Sequence, residues 1–177
     1  NERTLMELLG CKKSDLQGFF PPEMAVSPKL CEKIGNLEYK WMIMDGISNS
    51  GEWPTNYFKT NESGLLTLFR DNYTSNEISF NKITPEEFLK KVSHMYGDSE
   101  ENDYYTIIAM DGETFGHHIR NYESKFLGKV FELLENNSKS PIKLLTVSNL
   151  IKLSQKGIFK EQEDSCQNIK SSSWSTM

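Results

Sequence analysis

The run Tyr104-Tyr105-Thr106-Ile107-Ile108-Ala109-Met110-Asp111-Gly112-Glu113-Thr114-Phe115-Gly116-His117-His118 decides how this chain is read. Its first half is a continuous apolar, β-branched stretch, the pattern of a strand buried on both faces. It then breaks off into two acids, two glycines and two histidines. Parallel strands of α/β folds carry their chemistry at their carboxyl ends. Asp111 and Glu113 on a glycine-hinged turn are therefore candidates for an active-site edge. The same residues also describe a strand followed by an acidic, capped turn into a helix, and the stretch alone leaves both open.

Working outward, other strands end in charge as well. Gly18-Phe19-Phe20 runs into Pro21-Pro22-Glu23. Proline has no N–H for a ladder, so the strand must end at Phe20 with Glu23 just past it. Tyr39 to Met44 is the next strand and delivers Asp45-Gly46; Leu65 to Phe69 is a third and delivers Arg70-Asp71. Ile142 to Val147 reads as the last strand. Helices fall between them: 2–9, closed by Gly10; Ser27-Pro28 to Gly35; and one opened by the capping box Thr84-Pro85-Glu86-Glu87 and running to about Tyr96. A fourth spans 122–135, with Phe126, Leu127, Val130, Phe131, Leu133 and Leu134 on its buried side, and a short one follows from Ser148 to Ser154. Residues 46–63, rich in Ser, Asn, Gly and Thr, read as a long loop, and the polar tail from Lys160 as another.

This alternation predicts an α/β fold with a parallel sheet, open or closed into a barrel. Right-handed crossovers would bring the strand exits to one edge, gathering Glu23, Asp45, Arg70-Asp71 and Asp111 along a rim. Hydrophobic residues at 37% and charged residues at 25% suit a soluble globular chain, and 177 residues suffice for one core. The net charge of −5 offers no footprint for nucleic acid or an anionic membrane, and no apolar run approaches the length of a membrane span. Three well-separated cysteines show neither metal spacing nor a disulfide framework, which favours a reducing, cytoplasmic setting. The chain opens at Asn1 already within a helical pattern and stops at Met177, so both natural termini are expected to lie beyond it.

Two carboxylates flanking a glycosidic bond are the minimum equipment for breaking it. In the retaining form one attacks the anomeric carbon while the other donates and then accepts a proton. The acid must keep its proton near neutrality, which requires desolvation or a neighbouring negative charge; Glu113, beside Asp111, is placed to supply one or to point away. A metal site from Asp111, Glu113, His117 and His118 is chemically possible too, though the spacing matches no established motif.

Specific motifs carry a resemblance. Gly18-Phe19-Phe20-Pro21-Pro22-Glu23-Met24-Ala25 resembles the G-F-W-L-P-E-C-A/G-Y motif of glycoside hydrolase family 57, whose Glu is the nucleophile. Asp111-Gly112-Glu113-Thr114-Phe115-Gly116-His117 resembles that family's D-[AG]-E-x-F-G-H motif, whose Asp is the general acid/base. Leu68-Phe69-Arg70-Asp71 with Ile78-Ser79-Phe80 is similar to its R-D…S-x-x-I-G-F segment, and Ser172-Ser173-Trp174 to a Ser-Trp segment near the active site of amylase and branching members. The chain departs from the pattern in Phe20 for Trp and Met24 for Cys, and it lacks the early His-Gln-Pro segment. The resemblance implies a fragment, over 1–177, of one catalytic domain built as an incomplete seven-stranded β/α barrel. It implies retaining action on α-glucans, without a cofactor, with Glu23 as nucleophile and Asp111 as acid/base.

His117, within the motif, is the better sugar-contact candidate of the two histidines. Arg70, Asp45, Trp53 and Trp174 are further substrate-binding candidates, the tryptophans as stacking platforms, and Glu113 stands behind Asp111 as a supporting residue. Two other readings stay open: a non-catalytic carbohydrate-binding relative, and a metal-dependent hydrolase.

Overall fold

The residues that stop strands and start helices set the layout. A computed structural model describes residues 2–49, 57–95, 103–157, 160–163 and 165–173. They fall into two compact units, Asn1–Arg70 with Phe159–Met177, and Asp71–Ile158. In the first unit, helix α1 (Glu2–Leu9) stops at Gly10, whose φ of +63° suits a residue without Cβ. Strand β1 (Gly18–Phe19) ends ahead of the prolines. Helix α2 (Pro28–Asn36) opens as predicted, with the Leu30 N–H donating to the Ser27 hydroxyl and Pro28 in the first turn.

Strands β2 (Trp41–Asp45), β3 (Tyr57–Thr60), β4 (Leu66–Arg70) and β5 (Lys160–Glu163) complete a five-stranded sheet of order β1-β2-β4-β3-β5. β1, β2 and β4 are parallel, with Phe19 opposite Met42 and Asp45 opposite Arg70. β3 is antiparallel to β4 and parallel to β5, so the sheet is mixed but mostly parallel. β4 is buried throughout and β2 from Met42 onward, as expected of strands covered on both faces. On one face Met42, Met44 and Phe69 pack with Val26, Cys31, Ile34, Cys166 and Ile169. A Cβ on Gly18 would lie 2.1 Å from the ring of Trp41, so the motif's leading glycine makes room for the indole of the neighbouring strand.

The second unit is helical: α3 (Asn72–Ser79), α4 (Pro85–His94), α5 (Lys129–Glu135) and α6 (Val147–Ser154). Side chains cap three of them. Asp71 accepts from the Thr74 N–H, Thr84 and Glu87 form the predicted reciprocal box, and Thr146 accepts from the Asn149 N–H. Ile78, Phe88, Tyr122, Phe126 and Val130 make the core. A wide π-helical turn, Glu123–Gly128, leads into α5. No helix among the described residues is long and apolar enough to cross a membrane.

Several expectations are corrected. Residues 104–109 belong to no strand of the sheet: only Tyr105 and Ile107 are buried, and α3 takes up hydrogen bonds that a ladder would have used. The Asp71 N–H donates to the Ile107 carbonyl (2.8 Å) and the Ala109 N–H to Ser75 Oγ (3.2 Å). An apolar run records burial, not the partner that provides it. Residues 142–146 are likewise extended chain outside any strand, with Leu144 and Leu145 exposed, and Val147 is drawn into α6 by its Thr146 cap. Phe131 is exposed because the wide turn displaces the 3.6-residue spacing that placed it inside. The supposed long loop holds β3, and the supposed tail holds β5, a polar Lys-Glu-Gln-Glu edge strand with no apolar alternation to announce it. α3 was missed because it carries little apolar periodicity; its signal is the Asp71 cap.

Candidate active site

Because β1, β2 and β4 run parallel, their carboxyl ends share one edge of the sheet. β1 leads through buried Pro21 into a tight turn, Pro22–Met24, that packs against β2. Glu23 sits in that turn at φ 55°, ψ 19°, followed by Met24 at φ 45°. Two successive non-glycine residues in the left-handed region are costly, and such conformations persist where the surroundings enforce them. Here the enforcement is visible. Met24 is fully buried, its N–H donates to the Pro21 carbonyl (2.9 Å), and the Ala25 N–H donates to Pro22 (3.0 Å). The arrangement turns the Glu23 side chain outward, exposed at the sheet edge.

The chain after this turn is clamped by a segment remote in sequence. Val26 and Ser172 exchange backbone hydrogen bonds (2.8 and 3.1 Å). The Ser172 hydroxyl meets that of Ser48 at 2.6 Å, and the Lys170 N–H donates to the Ser48 carbonyl (3.0 Å). The return segment therefore links the exit of β1 to the exit of β2. Sequence reading missed Ser48 altogether, since nothing in the pattern pairs residues 124 positions apart.

Asp45 and Arg70, opposite each other in register, form an ion pair: Arg70 Nη1 donates to Asp45 Oδ2 at 2.6 Å. Asp45 Oδ1 accepts from the Ile47 N–H, capping the Gly46–Ser48 turn. Their side chains are 0% and 2% exposed. The pair thus lies beneath the edge, joining the ends of β2 and β4.

In the second unit, Asp111 opens a short turn, Gly112–Thr114. Thr114 is buried, Phe115 stacks on Tyr122 (5.6 Å between centroids, 15° between planes), and Gly116 has φ +105°. These residues of the motif are anchors. The Tyr122 hydroxyl donates to the Ile78 carbonyl at 3.1 Å, and burial pushes its phenol above the ordinary tyrosine value. Asp111, Glu113, His117 and His118 are exposed. Glu113 draws the histidines in: its carbonyl accepts from both their N–H groups (3.2 and 2.8 Å), and its carboxylate lies 3.5 Å from His118 Nε2. The histidine paired with Glu113 is therefore His118, while His117 is free of that pairing. Among the described residues no three His, Cys, Asp or Glu side chains converge as a metal site. Trp53 and Trp174 lie outside the described residues.

A mixed α/β chain with carboxylates on strand exits is the class the fold defines. The chain belongs to glycosyl hydrolase family 57, whose profile matches residues 3–163. Among solved structures it is similar to the exo-type maltose-forming amylase of Pyrococcus sp. ST04 (TM-score 0.74, 16% identity, 97% of this chain and 31% of that one). It is similar also to an alpha-amylase of Thermotoga maritima (0.71, 14%, 97% and 45%) and to the 4-alpha-glucanotransferase of Thermococcus litoralis (0.68, 18%, 96% and 27%). At such identities the likeness is one of fold, and the chain spans less than half the length of each. No curated protein sequence matches it.

Proposed function

We propose that this chain carries both catalytic carboxylates of a retaining enzyme acting on α-glucans, a hydrolase or a glucan transferase. Glu23 is the nucleophile and Asp111 the general acid/base, within an incomplete seven-stranded β/α barrel. The observation that carries the reading is Glu23 itself, a carboxylate held outward on a strained turn at the carboxyl edge of the parallel strands, in a chain of family 57.

Each residue has a defined task. Glu23 attacks the anomeric carbon and forms a glycosyl-enzyme bond while Asp111 protonates the departing oxygen; Asp111 then takes a proton from water or an acceptor sugar as that bond breaks. His117, with Trp53 and Trp174, contacts the sugar. Arg70 and Asp45 serve from beneath, holding the strand ends together, and Glu113 orients the turn on which Asp111 sits.

The test is turnover of a malto-oligosaccharide by the protein containing this chain, compared with its Glu23→Gln and Asp111→Asn variants. Loss of either group should lower turnover by at least about a hundredfold, as expected for a positioned acid or nucleophile. An aryl glycoside whose leaving group needs no proton should still be cleaved in the first step by Asp111→Asn but not by Glu23→Gln. Wild-type rates in either variant would overturn that residue's role. Sugar binding without turnover by the unaltered protein would mark a carbohydrate-binding relative instead.

A further inference from the structure

Two buried thiols have no part in the reaction above. α2 puts Cys31 on its inner face, 0% exposed, and the short turn Cys166–Asn168 puts Cys166 against it, 5% exposed. Cys166 Sγ donates to Cys31 Sγ across 3.2 Å. Asn61 Nδ2 also donates to Cys31 Sγ (3.2 Å), and the Cys166 N–H donates to Glu62 Oε2 (3.3 Å). Both thiols are free. A disulfide needs the sulfurs at about 2.05 Å, so a modest approach along the existing contact would join them.

We propose that Cys31 and Cys166 are a cystine-forming site, closed by exchange with a small-molecule disulfide. The thiolate of Cys166, the more exposed of the two, attacks one sulfur of that disulfide. The S–S bond breaks, one small thiolate leaves, and a mixed disulfide remains on Cys166. The Cys31 thiolate then attacks the Cys166 sulfur and expels the second small thiolate. The protein loses two electrons and two protons; the small disulfide gains the electrons and leaves as two thiols. Burial pushes both thiols above the ordinary cysteine value, so the pair rests protonated and exchange runs through the small fraction present as thiolate. Closure would fasten that segment to α2, and with it the Ser172 bridge that clamps Val26. It does not depend on the roles given to Glu23 and Asp111.

The experiment equilibrates the protein containing this chain in glutathione buffers of rising disulfide fraction, then blocks free thiols in denaturant and maps the peptides that hold Cys11, Cys31 and Cys166. Cys11 should stay free, with Cys31 and Cys166 peptides linked within one molecule and released by dithiothreitol. A Cys11→Ser variant should close the same way, whereas the urea-unfolded protein should scramble among its possible pairings. Free Cys31 and Cys166 in fully oxidised buffer would overturn the proposal. So would glutathione adducts, or links to Cys11, in place of the 31–166 bond.

Discussion

Removing one partner of the Asp45–Arg70 pair breaks a charge–charge contact that is buried on both sides. The cost of breaking such a pair from one side is about 3–5 kcal/mol, so Arg70→Met or Asp45→Asn should lower unfolding free energy by about that much in a urea titration. The double change Asp45→Leu with Arg70→Met removes both charges and should recover most of the loss. If the single variants were neutral, the pair would not be what joins β2 to β4. At this scale the sequence was legible only halfway. Asp45 and Arg70 stand out as charges ending apolar strands, but residues 25 positions apart do not announce that they sit opposite each other and satisfy one another. The same gap hid Ser48 behind Ser172. Glu23 was more readable, because two prolines force its strand to stop.

Among elements, the Asp111 turn depends on Tyr122. Phe115 stacks on that ring, and the ring's hydroxyl is tied to Ile78. The phenol is pushed up by burial, so folding favours its neutral form. That stabilisation is complete below the ordinary tyrosine value, about 10, and is lost as pH rises through the higher value of the folded state. Unfolding midpoints measured across the alkaline range should therefore decline more steeply for the wild type than for Tyr122→Phe; equal slopes would detach the phenol from this stability. α2 and α4 were the elements read best, since a Ser or Thr cap followed by proline is a local signal with a local cause. β3, a four-residue interior strand, and β5, a polar edge strand, were not readable, since strands so short are defined by the neighbours they pair with. The 104–109 and 142–147 runs misled for the opposite reason: each has a strand's composition, and neither lies in the sheet.

The whole chain was legible as α/β with a mostly parallel sheet, because strand runs and helix caps alternate along it. Its division into a sheet-bearing unit and a helical one was not, since contact between distant segments, such as β5 with β3, draws that boundary. The wide turn Glu123–Gly128 has a consequence for the gene rather than the fold. Successive residues of an α-helix lie about 100° apart around its axis. A turn of this kind holds one residue more than an α-turn needs, so a codon deleted there leaves an ordinary α-helix with both flanks still in phase. Tyr122, Phe126 and Val130 would keep facing one core. Loss of any one of the exposed residues 123–125 should therefore still give soluble, protease-resistant protein, while a codon inserted there, a second residue beyond the α-turn, should abolish it. The stretch that looks most like a local irregularity should be where this sequence is most free to shorten by one.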